Sequence, residues 1–168
     1  MSSHEHSHGI GKEHPRSHEI QLFCLIFFFI VWVFDSIVLN LTKQLSNEIP
    51  LIIRLPVFLI LGLIAFRLVN GSHKLVLGKV ELNVVEEDVY AILRHPMYSA
   101  YFIVFLAFIQ LTMSLISLVP FAIAVFLLNM IAAHEEKELI SILGQEYIDY
   151  MKRVPRWIPN PVKFLKTR

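Results

Sequence analysis

Three long apolar stretches organise the chain. Residues 20–41 and 51–69 are each long enough to cross about 30 Å of hydrocarbon as a helix. Residues 98–133 then run for 36 positions without a charge, too long for one crossing and slightly short for two. Met113-Ser114 and the segment 117–120, which ends in Pro120, mark a break near the middle. The pattern therefore predicts two short helices, 98–112 and 118–134, the second continuing past the apolar zone through 135–143. Pro56 and Gly62 in the second stretch are tolerated in membrane helices. The expected fold is all-α: a polytopic membrane helical bundle with four transmembrane helices, including a C-terminal hairpin.

Between the apolar stretches, 85–93 reads as a short approach helix or turn. Pro96 disfavours helix at His95. Gly144 is a natural stop, and 146–151 suits one more short helix. Pro155, Pro159 and Pro161 make the tail irregular. Residues 1–19 read as a histidine-rich tail and 20–168 as one membrane domain. The length of the first apolar stretch and its acidic, histidine-rich lead-in argue against a cleaved signal.

Charge orients these spans. Thirteen Lys and Arg residues fall in the amino tail, the middle loop and the carboxyl end, against only Lys43 and Arg54 in the two remaining loops. Cationic side chains concentrate on the cytoplasmic face, so both termini, the tail included, are expected there. An even number of crossings then brings the two feet of the 98–133 hairpin to that same face. The composition agrees: 55% hydrophobic residues, 17% charged and a mean hydropathy of +0.60 describe a multi-pass integral membrane protein. A net charge of +1 with no basic patch gives no nucleic-acid signal. Cys24, the lone cysteine, forms no disulfide within the chain.

The feet of the hairpin carry the candidate chemistry: Arg94-His95-Pro96-Met97-Tyr98 at one, His134-Glu135-Glu136 at the other. At about 100° per residue, Glu135 and Glu136 share a helix face with Leu139, Ile140, Ile142 and Leu143, while Lys137, Glu138, Ser141 and Gln145 fall opposite. Carboxylates on an apolar face need partners. They are either ion-paired to Arg94 or Arg156 as a clamp, or part of a ligand site. Asn129 lies seven residues before Glu136 on nearly the same stripe and extends a polar pocket. Asp35, near the far end of its span, is expected to face headgroups. His4, His6, His8, His14 and His18 suit weak transition-metal binding, although their spacing matches no compact zinc pattern, and no metal-ligand set is assigned.

The Arg94–Tyr98 block, then Glu135-Glu136, then Leu143-Gly144-Gln145-Glu146-Tyr147 and Val154-Pro155-Arg156-Trp157-Ile158-Pro159 resemble the membrane-embedded methyltransferases that include isoprenylcysteine carboxyl methyltransferase and the phospholipid N-methyltransferases. The resemblance covers about half of the chain. It implies S-adenosylmethionine as cofactor, with His95, Pro96, Tyr98, Glu135, Glu136 and Tyr147 as cofactor-binding residues and Arg156 and Glu136 in the catalytic role. It also implies a lipophilic or small-molecule methyl acceptor, such as a prenylcysteine-like carboxylate, reached from the bilayer. Ala100 and Asp88 depart from the family pattern, each standing where glycine is usual. Two other readings stay open: a reductase of the same fold using a nicotinamide cofactor, and a non-enzymatic metal-handling membrane protein using the histidine tail.

Overall fold

The computed structural model describes residues 16–41, 43–76, 84, 86 and 88–159, with side-chain detail for all of these except 43–45 and 73–76. Every regular element among them is helical. α1 (Ser17–Val33) continues into a π-helical turn (Phe34–Leu39), and a short α2 (Lys43–Glu48) leads to α3 (Leu51–Val76). A 3-10 turn (Asp88–Ala91) precedes α4 (Pro96–Thr112), followed by α5 (Leu118–Leu143) and α6 (Gln145–Arg153). The predicted elements are therefore present, and α3 and α5 run well past the apolar stretches that announced them.

Three helical segments, Ser17–Leu39, Leu51–Ser72 and Leu118–Leu143, are long and apolar enough to cross a membrane. α4 is apolar but has 17 residues, which is about 25 Å of helix. Many large apolar side chains point outward, among them Ile52, Leu63, Phe66 and Phe126. Contiguous apolar exposure of this extent suits a lipid surround.

The interior follows helical stripes. Cys24 and Phe28 of α1 meet Phe105 and Ile109 of α4 and Ala124 of α5. The Phe28 and Phe105 rings stack at 4.1 Å. On its other side α4 packs along α3, the most extensive pairing in the bundle. Ala65, Leu68 and Ala100 join Val89 and Leu93 there. Ala100 is buried in this seam, and its single methyl is accommodated.

Polar contacts stitch the bundle at the end opposite the two glutamates. Trp32 Nε1 donates to Thr112 Oγ1 at 3.0 Å and to the Phe108 carbonyl at 3.2 Å. Asp35 is buried, not at the headgroups as expected; it accepts from Ser114, which lies 2.7 Å from Ser117 in the α4–α5 turn. Asp35 follows buried Phe28 by seven residues, nearly two full turns, and so continues the inward stripe of α1; Asn40 (φ 51°) ends the π-helical turn by donating its amide to Asp35 O at 2.7 Å. Arg54 donates to the carbonyls of Ile49, Ser46 and Leu111, while Gln110 donates to Arg54 O at 2.8 Å. These bonds tie α3 to the end of α4, where its last carbonyls lack helical partners.

At the glutamate end, Gly144 turns the chain between α5 and α6 with φ 58° and ψ −128°. That region is essentially restricted to glycine. Gly144→Ala is expected to cost about 1–3 kcal/mol and to lower the thermal unfolding midpoint in detergent. Gly62→Ala is the control, because a methyl group on Gly62 meets nothing within 4 Å and alanine favours the helix interior. Equal effects of the two substitutions would contradict the strained-turn account.

Candidate functional site

The approach to α4 sets the first wall. His95 stands outside the helical region (φ −125°, ψ 67°), as Pro96 after it favours, and Pro96 occupies the first helical position where its missing amide proton costs nothing. The 3-10 turn before it is seated against α3. A methyl group added to Gly71 would lie 2.5 Å from Val89 Cγ1, so glycine permits this approach. Asp88 adopts φ 49°, a left-handed conformation that glycine takes most readily. In this chain Arg67 answers with an ion pair to Asp88 at 2.9 Å.

Glu136 is the centre of the site. It is 3% exposed, and a carboxylate there needs charge or hydrogen-bond partners. Three cationic or hydrogen-bonding groups from two distant segments converge on it. His95 Nε2 stands 3.2 Å and Arg94 Nη1 2.9 Å from Oε1. Arg156 Nε donates to Oε1 at 2.9 Å and its Nη2 to Oε2. The third Arg156 nitrogen, Nη1, donates to Asn129 Oδ1 at 2.9 Å, and Trp157 Nε1 shares that oxygen at 3.3 Å. A two-pronged guanidinium–carboxylate contact of this kind is the strongest ion-pair geometry available to side chains.

Glu135 forms the second carboxylate. Tyr98 donates its hydroxyl proton to Oε1 at 2.6 Å, and His95 Nδ1 lies 3.5 Å from Oε2. His95 thus presents one ring nitrogen to each glutamate. Its ring is parallel to that of Tyr98 at 5.6 Å, and Trp157 closes over both.

The segment carrying Arg156 and Trp157 is docked by α6. Tyr150 donates to Tyr90 O at 2.8 Å, the Arg94 amide donates to Pro155 O at 3.0 Å, the Val84 amide donates to Glu146 Oε1 at 3.1 Å, and Arg153 pairs with Glu86. Tyr147 and Tyr150 are buried with Val154 against Leu139, Ile140 and Leu143. Burial, followed by the nearby Glu136 charge, pushes the Tyr147 phenol well above its ordinary range.

Of the residues singled out from sequence, His95, Pro96, Tyr98, Glu135, Glu136 and Arg156 come together, and Asn129 joins them. Tyr147 packs in the neighbouring hydrophobic cluster. Both the Arg94 and the Arg156 pairings of Glu136 occur at once. Arg94, one of the two clamp partners expected for these carboxylates, is a direct partner of Glu136. Two details differ from the helical-wheel expectation: Ile142 is exposed, and Glu138 buries its Oε2 while Oε1 pairs with His134 at 3.3 Å. Trp157, although inside the matched Val154–Pro159 block, was given no role from sequence, and Phe102 had no signal of its own within its apolar run. The tract His4–His14 lies outside the described residues, and His18 is exposed on the first turn of α1.

A helical bundle with membrane-length apolar segments and a buried carboxylate–guanidinium–imidazole cluster at one end defines the class of molecule. The sequence pattern of the isoprenylcysteine carboxyl methyltransferase (ICMT) family matches residues 53–141, more than half of the chain, and the protein belongs to that family. The chain is also similar to protein-S-isoprenylcysteine O-methyltransferase B of Arabidopsis thaliana, with 36% identity over 77 residues. That similarity covers 45% of this chain and 39% of the relative's length. Arg156 and Trp157 lie beyond the matched family segment.

Tyr98→Phe removes a charged hydrogen bond at 2.6 Å while keeping the ring that stacks on His95. The expected cost is about 1.5–3 kcal/mol of stability, read by denaturant unfolding in detergent. A change within about 0.5 kcal/mol would show that Glu135 does not depend on this hydroxyl.

Proposed function

We propose that the protein is an integral membrane methyltransferase that uses S-adenosylmethionine and acts on a lipophilic acceptor of the prenylcysteine-carboxylate type. The observation that carries this reading is the convergence on Glu136 of groups from the start of α4 and from the tail after α6, in a chain of the ICMT family. In the proposed topology four helices span the bilayer, both termini and the loop between α3 and α4 are cytoplasmic, and the site opens to the cytoplasmic leaflet. The asymmetry of Lys and Arg supports it. Residues 20–168 form the methyltransferase domain and 1–19 an appended tail.

The residues suit this cofactor. Arg94 buries its Nε without a hydrogen-bond acceptor among the described residues, leaving a donor for an anionic group such as the cofactor's carboxylate. Glu135 and Glu136 supply negative charge for its ammonium and sulfonium centres, and the faces of His95 and Tyr98 complement a flat base and a cation. When bound, S-adenosylmethionine supplies an electrophilic methyl group for in-line displacement. Pro96 fixes the direction of the helix that carries His95 and Tyr98, and Tyr147 supports the glutamate face from the α6 side.

Arg156 neutralises and orients the acceptor's carboxylate. A carboxylate is already deprotonated, so these residues need not remove a proton from it. Their work is alignment and exclusion of water, and the tail segment, with Val154 buried, provides the cover.

Binding of isotope-labelled S-adenosylmethionine to purified protein in detergent tests the reading. Saturable binding is expected in the wild type, at least about tenfold weaker in Glu136→Ala whose helical content is retained. No binding by the wild type, or undiminished affinity in Glu136→Ala, would contradict it.

A further inference from the structure

Trp157 is one of two tryptophans in the chain, and it occupies an unusual place. It comes from the irregular segment after α6, yet its indole is wedged between α4 and α5. Phe102 of α4 meets it edge-on at 5.2 Å, His95 and Tyr98 flank it at 5.6 and 6.3 Å, and Asn129 of α5 accepts its N–H at 3.3 Å. Beyond Phe102 the row of rings continues to Phe121 at 6.2 Å. A seam of aromatic contacts therefore leads from the buried glutamates along the α4–α5 packing into the apolar part of the bundle, with Trp157 standing at its polar end.

We propose that Trp157 is the gate of this seam and the residue that sets chain-length preference, by packing against the isoprenoid tail of the acceptor. The inference rests on the methyltransferase reading above and goes beyond it by assigning the tail-binding contact. Three observations support this occupant. The seam is lined by rings and is apolar, so it takes a hydrocarbon chain and not a polar one. Trp157 adjoins Arg156, and the two share Asn129 Oδ1, so neighbouring residues meet the charged head and the apolar tail of one amphiphile. Finally, the indole is held by one side-chain hydrogen bond and ring contacts on a non-helical segment, while the next residue, Ile158, is 80% exposed. Such an arrangement yields to a competing apolar chain without unfolding a helix.

The second tryptophan makes the test specific. Trp32 lies at the other end of the bundle, bonded to Phe108 and Thr112, so Trp32→Phe leaves emission from Trp157 alone and Trp157→Phe leaves Trp32 alone. In lipid nanodiscs, N-acetyl-S-farnesylcysteine is expected to shift or quench Trp32→Phe emission saturably. It should leave Trp157→Phe unchanged, and N-acetylcysteine without a prenyl chain should act on neither. In methyl-transfer assays, Trp157→Ala should change the ratio of kcat/KM for farnesyl over geranyl thioethers by about tenfold, a ratio in which general loss of cofactor affinity cancels. Methylation of the farnesyl compound with silent Trp157 emission and an unchanged ratio would overturn the gate while sparing the enzyme assignment. A wild type that neither binds S-adenosylmethionine nor methylates would remove the assignment itself, and the gate with it.

Discussion

A carboxylate buried to 3% exposure is the constraint around which this molecule is arranged. Taking one such ion out of water costs several kcal/mol unless it is matched by charge and hydrogen bonds. Glu136 can be matched only when the segment before α4 brings Arg94 and His95, and the tail after α6 brings Arg156, to the same point. The hairpin, the proline-directed start of α4 and the glycine turn into α6 are each what that convergence requires. Two guanidiniums against two carboxylates leave the cluster nearly neutral, which permits it to sit beside the apolar core formed by Tyr98, Leu128, Ile131 and Ala132.

The opposite end of the bundle uses the same logic with weaker groups. Asp35, Ser114 and Ser117 close the hairpin turn against α1, and Arg54 gathers the ends of α2, α3 and α4 through backbone carbonyls. Between these two tied ends, α4 and α5 are held by dispersion and ring stacking. The aromatic seam from Tyr98 to Phe121 lies there.

Much of this was legible in the residues. Apolar run length gave the helices, the break at Met113-Ser114 gave the hairpin, and Glu135-Glu136 on an apolar helix face required partners that the structure supplies. Asn129 was legible through its seven-residue spacing to Glu136. Other features depend on docking and backbone geometry that no periodicity encodes. Asp35 lies seven residues after buried Phe28, on the same stripe of α1, but the Ser114–Ser117 turn that receives it is brought there by tertiary docking. Asp88 holds a left-handed conformation, which aspartate tolerates better than most residues, and pairs there with Arg67. The site role of Trp157 depends on where an irregular segment docks, which local pattern does not specify.

The central claim is that Glu136 and Arg156 hold the tail to the hairpin as one coupled unit. A double-mutant cycle on unfolding free energy, using Glu136→Gln, Arg156→Gln and the pair, measures that coupling directly. The account predicts an interaction energy of about 1.5–3 kcal/mol. Additivity within about 0.5 kcal/mol would mean that the two side chains do not depend on each other, and would contradict it.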